Sequence, residues 1–408
     1  MKLAEPLPLP CGVVLANRIA KAAMSERLAQ PDRQPTPTLE TLYRRWGAGG
    51  AGLLITGNVM VDPAALGEPG NVALDFRSDL EPFRRWAAAG KAGGAQVWVQ
   101  LNHPGRQSPR MLSRQPVAPS AVAMKGMAGA FAPPRALEAG EIEAVIEAFG
   151  VAAARVVEAG FDGVQIHAAH GYLVSQFLSA HTNRRDDAWG GDAERRQRFL
   201  LAVVDRVRAA VGPQRAVGVK LNSADFQKGG FSEADSMAVV QALAARGVDL
   251  LEISGGTYER PQMFAETLAG AAESTQRREA FFLDYAEKVR GVTSMPLMLT
   301  GGFRTAAAME AALASGAIDV VGQARPLAVE PDLPARVLAG AAEGAVAVRL
   351  HTGIQLIDSI VTGAWYQLQM QRLSENRPVA PRLSRLRACG WYVRTSLFAR
   401  RYRTWKPG

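Results

Sequence analysis

Eight short strand-like runs, each separated from the next by a stretch with helical spacing, constrain this chain more than any other feature. They fall at 18–23, 51–57, 96–101, 163–166, 216–221, 248–253, 296–300 and 318–322. The second, Ala51-Gly52-Leu53-Leu54-Ile55, is apolar throughout rather than alternating. A strand apolar on both faces is buried on both faces, as in a parallel sheet covered by helices. Between the runs, Leu39, Leu42, Tyr43 and Trp46 share one face of 36–48, and Leu80, Phe83 and Trp86 one face of 79–91. Ile142, Val145, Ile146, Phe149, Val156 and Val157 recur at helical spacing before Gly160, and further helices are expected at 195–210, 233–245, 279–290 and 305–315. Eight such units predict an α/β fold, a (β/α)8 TIM barrel. A doubly wound sheet would ordinarily carry a Gly-rich turn after its first strand, and neither GxGxxG nor GxxxxGK[ST] occurs.

With 408 residues, 48% of them hydrophobic, the chain can bury one large barrel. The expected organisation is a barrel over 1–345, with a small proline-containing cap at 5–16, and a C-terminal helix and basic tail over 346–408. A long loop at 102–135 holds six prolines and interrupts the third unit, and loops of that length are usually functional or mobile. The two cysteines, Cys11 and Cys389, supply neither a four-cysteine iron–sulfur or zinc site nor a disulfide framework. MKLAEPLPLP lacks the apolar core of a signal peptide, and no apolar run approaches the ~18 residues of a membrane span, so a cytoplasmic protein is expected. The net charge of +9 is concentrated at the end: 376–408 carries nine Arg or Lys and no acid. The rest is balanced, which argues against a nucleic-acid-binding surface.

Barrel chemistry sits at the C-terminal ends of the strands. The polar residues there are Ser25, Thr56, Gln100 with His103, His167 with His170, Lys220, Glu252, Thr300 and Arg325. Three of the five histidines, His167, His170 and His181, fall in one stretch with Tyr172. Two imidazole N–H groups converging on a carbonyl oxygen would stabilise charge developing there, and Tyr172 could protonate as a general acid. A lone His in such a place reads as a satisfied core or capping residue; His-x-x-His-x-Tyr at a strand end reads as chemistry. As a metal site it lacks a clear third ligand from another strand end. Lys220, in the apolar VGVKL, needs a counter-charge such as Glu252 or an anionic ligand ring. Thr300-Gly301-Gly302 after strand seven and Ala324-Arg325 after strand eight suit a phosphate, through backbone N–H groups and a bidentate guanidinium.

Over roughly residues 5–375 the chain resembles the Old Yellow Enzyme family of FMN-dependent NAD(P)H:flavin oxidoreductases and ene-reductases. The resemblance rests on HAAHGYLVSQFLSAHTNRRDDAWGG (167–191), with QLNHPGR (100–106), KLNSADFQKGGF (220–231), TGGFRT (300–305), ARPLAVEPDLP (324–334) and AWYQLQMQRL (364–373) in matching order. It implies FMN at the barrel mouth, lined by Ala22, Ala23, Met24, Ser25, Gly57 and His167. Gln100 would reach the pyrimidine edge and Lys220 would lie near N1 and O2, while Gly302, Ala324 and Arg325 would hold the phosphate. It also implies that His167 and His170 bind a substrate carbonyl oxygen. A hydride would pass from NAD(P)H through flavin N5 to the β-carbon of an enone or related activated alkene, and Tyr172 would protonate the product. The chain departs from the family pattern with Ala-Ala-Met before Ser25 where Ala-Pro-Met is usual, Ser25 where Thr or Cys is usual, and Lys220 where Arg is common.

Two rivals stand beside this expectation: a metal-assisted barrel hydrolase using His167, His170 and His181, and a non-catalytic FMN-binding scaffold. A homo-oligomer is expected. In the tail, Leu383, Leu386, Val393 and Leu397 recur among eight basic residues from Arg382 to Lys406. That pattern fits packing on the protein's own barrel or a second subunit, or peripheral contact with an anionic membrane through 376–408.

Overall fold

The computed structural model of the chain describes all residues except 126–128, 228, 256–281, 347, 349–354, 398–401 and 403–408, and for 355–360 and 397 the backbone alone. Residues 256–281, which include the start of the helix expected at 279, lie outside the described residues.

Eight parallel strands close into a barrel: β1 (Ile19–Lys21), β2 (Leu53–Met60), β3 (Gln96–Asn102), β4 (Gly163–Ala168), β5 (Ala216–Asn222), β6 (Leu250–Ser254), β7 (Leu297–Thr300) and β8 (Val320–Gln323). Each pairs with its sequence neighbour, and β8 returns to β1. Around them run α1 (Pro37–Gly47), α2 (Glu81–Lys91), α3 (Ala139–Glu158), α4 (Leu173–Leu178), α5 (Ala193–Val211), α6 (Glu233–Ala245), α7 (Ala306–Ala314) and α8 (Leu333–Leu338), with a helical stretch at 282–290. Several barrel helices begin where a side chain can accept an otherwise orphaned backbone N–H. Thr36 caps α1, Asp192 caps α5, Ser232 caps α6 and Thr305 caps α7.

Strand alternation sorts the side chains. Val97, Val99, Leu101, Val164, Ile166, Val217, Val219, Leu251 and Ile253 face the helices. Inward, the lower layer is apolar: Leu53, Ile55, Trp98, Ala216, Leu250, Met298 and Val320. Trp98 occupies space left by two glycines, since a Cβ on Gly163 or Gly218 would lie 3.0 Å from its indole. An antiparallel pair, Leu7–Pro8 with Val14–Leu15, brings Leu7, Leu9 and Leu15 onto this layer. The cap expected at 5–16 is therefore a plug on apolar side chains. Above it the interior turns polar, with Gln100, Gln165, Lys220 and Glu252 all buried.

The described residues of the 102–135 loop carry local structure of their own. A 3-10 turn at Gly105–Gln107 and a short pairing of Val117–Ala118 with Arg135–Ala136 tie it together. At the C-terminus, α9 (Gln355–Ser374) packs near α1, and α10 (Arg385–Leu397) packs on α9. Gln369 brackets the backbone of Ala380 with two 2.8 Å hydrogen bonds, the Trp365 indole donates to the Leu383 carbonyl, and Ala388 is buried in the main core. The Arg27 guanidinium lies 4.8 Å from the Tyr392 ring and 5.8 Å from that of Trp391. The described part of the tail thus packs on the protein's own barrel. No described helix is long and apolar enough to cross a membrane.

Candidate active site

A cavity of about 340 Å³ opens at the C-terminal ends of the strands, a volume suited to a cofactor or small ligand. Ala23, Met24, Ser25, Gln100, His167 and His170 line it, as do Tyr172, Lys220, Gly302, Ala324 and Arg325. Ala22 and Gly57 do not. Ala22 lies in the apolar layer below, its N–H donating to the Gln323 carbonyl at 2.8 Å. Gly57 faces away, where its N–H donates to Glu26 Oε1 (3.1 Å) and a Cβ would sit 2.0 Å from Glu26 Oε2. Its small size admits the Glu26 carboxylate.

The strand-to-helix turn after β4 assembles the aromatic cluster. Ala168 ends the strand, His170 takes a left-handed φ of 61°, and Tyr172 occupies the N-cap position of α4. The His167 ring then meets His170 at 5.0 Å and Tyr172 at 4.8 Å between centroids, both nearly edge-on. The Ala169 N–H donates to His167 Nδ1 at 3.2 Å, so in the neutral ring the proton sits on Nε2. A left-handed backbone outside glycine costs about 1–3 kcal/mol and needs supporting contacts. His170 has three: its N–H donates to Asn222 Oδ1 (3.3 Å), its carbonyl accepts from Gln107 Nε2 (3.1 Å), and its Nε2 lies 2.7 Å from Ser254 Oγ. Burial first, and then the Lys220 charge, hold both imidazoles well below the ordinary value of 6.5. Both are neutral near pH 7. Tyr172 Oη accepts a long hydrogen bond, 3.5 Å, from Asn58 Nδ2.

The floor is a chain of side chains from adjacent strands. Gln100 Nε2 donates to Gln165 Oε1, Gln165 Nε2 donates to Glu252 Oε2, and Lys220 Nζ donates to Glu252 Oε1, each at 2.7 Å. Lys220 therefore has the Glu252 counter-charge raised as its plain structural role, and it also lines the cavity. Among the described residues no three His, Cys, Asp or Glu side chains come together as a metal-holding group, and His181 is not part of the cavity wall. The three-histidine ligand set does not assemble.

Sequence reasoning missed Asn58, Ser254 and Gln165, and did not bring Tyr366, Gln367 and Met370 of α9 to the cavity wall. Gln165 carried a signal, a polar residue inside a buried strand. The α9 residues follow a helical spacing but could not be aimed without the packing of α9.

FMN fits this set. Gln100 has its amide nitrogen committed to Gln165, which leaves an acceptor for a ring imide N–H. Ser25 Oγ and Thr300 Oγ1, both on residues of the cavity wall, are buried with no hydrogen-bond partner among the described residues. Gly301 and Gly302 have φ of 113° and 86°, a conformation that suits glycine and lets backbone N–H groups approach a phosphate beside Arg325.

Comparison with known proteins agrees. The NADH:flavin oxidoreductase / NADH oxidase family model matches residues 2–343. The NADH-dependent flavin oxidoreductase iliE of Hypocrea jecorina (strain QM6a) is 40% identical over 356 residues, 82% of this chain and 88% of that protein. Among solved structures, morphinone reductase in complex with tetrahydroNAD matches with a TM-score of 0.69 and 30% identity, covering 85% of this chain and 92% of that one. The old yellow enzyme homologue from Zymomonas mobilis matches with a TM-score of 0.70 and 28% identity, covering 85% and 95%. On sequence, barrel and cavity together, the chain belongs to the NADH:flavin oxidoreductase / NADH oxidase family, the Old Yellow Enzyme family, as an FMN-dependent oxidoreductase that draws its electrons from a reduced nicotinamide.

Proposed function

We propose that this enzyme reduces the carbon–carbon double bond of an α,β-unsaturated carbonyl compound or related activated alkene. The observation that carries the reading is that the His167 ring meets His170 at 5.0 Å and Tyr172 at 4.8 Å between centroids at the cavity wall. Bound FMN supplies the two-electron chemistry, taking a hydride from the nicotinamide and giving one to the substrate. Ala23, Met24, Ser25, Gln100 and Lys220 would hold its ring, and Gly302, Ala324 and Arg325 its phosphate.

The protein's own part is positional and electrostatic. His167 presents Nε2–H to the substrate oxygen, and His170 stands beside it. Neutral imidazoles suit this task, because they polarise the oxygen without surrendering a proton to it. Tyr172 delivers its proton to the α-carbon, and the Asn58 amide donating to Oη would stabilise the phenolate left behind. That a solved neighbour is morphinone reductase in complex with tetrahydroNAD supports a nicotinamide as the reductant. A scaffold with no turnover would have no need of the three contacts that hold His170 in its strained conformation.

For the tail, membrane attachment would use the outer edge of α10, where Leu386 is 85% exposed and Val393 55%, between Arg382, Arg385 and Arg394. Purified protein should be yellow and should oxidise NADH or NADPH in the presence of an enone such as 2-cyclohexenone, with the saturated ketone as product. Colourless protein that stays colourless with FMN, or flavin that is reoxidised by oxygen but by no enone in a broad panel, would overturn the proposal.

A further inference from the structure

Beneath the cavity lies a carboxylate that neither substrate binding nor protonation uses. Glu252 is fully buried on β6, where Lys220 Nζ donates to Oε1 and Gln165 Nε2 to Oε2, both at 2.7 Å. Gln165 Oε1 accepts from Gln100 Nε2 at 2.7 Å. Strand register places Gln100 beside Gln165 and Lys220 beside Glu252, so four neighbouring strands contribute to one connected layer. Barrel interiors are ordinarily filled by branched apolar side chains, as the layer below is here. A buried ion pair is weak evidence for stability, since apolar residues of like volume often serve as well or better. The layer therefore calls for a reason other than packing.

Its chemistry supplies two. The first is direction. An ionised carboxylate only accepts hydrogen bonds, so Gln165 must turn its NH2 toward Glu252 and its carbonyl toward Gln100. Gln100 must then turn its NH2 toward Gln165, leaving its carbonyl for the cavity. Glu252 thus decides, at two removes, that the wall at position 100 is an acceptor. The second is charge. Paired with Glu252, Lys220 presents a dipole to the cavity rather than an uncompensated cation, which lessens its preference for an anionic ligand.

We propose that Glu252 is a positioning residue for the flavin: through Gln165 it fixes Gln100 as the acceptor for the ring imide N–H, and through Lys220 it moderates the charge that the reduced ring meets. The inference rests on the FMN assignment and adds to it a role for two residues that touch no substrate.

The test uses the full chain loaded with FMN and two near-isosteric variants, Glu252→Gln and Gln165→Met. Dye-coupled redox titration gives the midpoint potential, fluorescence titration the FMN affinity, and thermal unfolding of the apoprotein a check on folding. Glu252→Gln should raise the potential. The preference for reduced over oxidised FMN should grow on the order of tenfold, equivalent to about 30 mV for a two-electron couple. Gln165→Met keeps the ion pair but cuts the link to Gln100. It should leave the potential near that of the parent while weakening oxidised FMN binding on the order of tenfold, one imide hydrogen bond being lost from a buried site. A Glu252→Gln potential unchanged or lowered, or a Gln165→Met affinity equal to the parent's, in folded and FMN-loaded protein, would overturn the inference alone. Failure of the parent protein to bind FMN would overturn the assignment beneath it as well.

Discussion

Tyr172→Phe isolates one proton. The phenol ring packs edge-on against His167 at 4.8 Å, a contact that phenylalanine keeps, and the residue is 4% exposed in a well-packed turn. The hydroxyl's contact with Asn58 Nδ2 is long at 3.5 Å, so its loss should cost about 1 kcal/mol of stability or less. Neither Lys220 nor the glycines beside Arg325 is touched, so FMN binding and reduction should survive. Only the step needing a general acid should suffer. Removing such a group costs roughly 10²–10⁴ in rate, or about 2.7–5.4 kcal/mol of barrier at 1.36 kcal/mol per decade. Anaerobic stopped-flow absorbance separates the halves: reduction of the bound flavin by NADH, then its reoxidation by 2-cyclohexenone. The first rate should stay within about twofold of the parent, and the second should fall by at least ~10²-fold. Equal slowing of both halves would mean that Tyr172 shapes the cavity rather than protonates. No slowing of the second would mean that water or another side chain is the acid.

Replacing both His167 and His170 by Ala should abolish binding of a para-substituted phenol, followed through its charge-transfer absorbance; undiminished affinity would remove the oxygen-binding assignment. Lys220→Met leaves Glu252 buried with Gln165 as its remaining partner described here, so it should cost about 3–5 kcal/mol of stability, lower the flavin potential and weaken FMN retention. An unchanged potential would reduce Lys220 to an ion-pair partner, and adding Glu252→Leu should recover stability. For His167, neutral when folded and titrating near 6.5 when unfolded, the unfolded chain binds more protons below that value, so its contribution is intact above pH 6.5 and is lost as pH falls. Urea unfolding should show a loss of up to about 1.4 kcal/mol per pH unit below 6.5 from His167 that disappears in His167→Asn, and His170, held low for the same reasons, adds to the slope in the same direction. A chain ending at Glu375 loses the Tyr392 and Trp391 faces against Arg27 and should show a lower melting temperature and weaker FMN binding. If the full-length protein does not sediment with anionic liposomes at low salt, the membrane contact of the tail falls.

The barrel was legible because its strands are buried on both faces: runs such as Val97–Leu101 and Val217–Leu221 are apolar enough to announce themselves. His167, His170 and Tyr172 were legible for the same reason, as rare polar residues at the end of such a run. Helix α4 was not, since all of its residues from Leu173 to Leu178 are buried, and a six-residue helix without a polar face has no amphipathic period to detect. Gly57 was placed with the flavin by resemblance, and the structure turns it toward Glu26, a contact across 31 residues that spacing alone does not encode. Ala22 fell one layer too low because strand alternation decides by a single residue which side chain reaches the cavity. The pairing of Lys220 with Glu252 could be raised from sequence, but its extension through Gln165 to Gln100 depends on the register of four strands.

The most direct test of the central claim follows both transferred atoms. FMN-loaded enzyme is turned over anaerobically in ordinary water with 2-cyclohexenone present from the start and nicotinamide deuterated at the transferring position, so that the second transfer follows the first before the flavin N–H exchanges with solvent, and the product is examined by NMR; the experiment is repeated with unlabelled nicotinamide in D2O. The account predicts prompt reoxidation of the flavin, deuterium from the nicotinamide at the β-carbon, and deuterium from solvent at the α-carbon. Flavin that stays reduced in the presence of the enone, or solvent deuterium at the β-carbon with none carried from the nicotinamide, would contradict it.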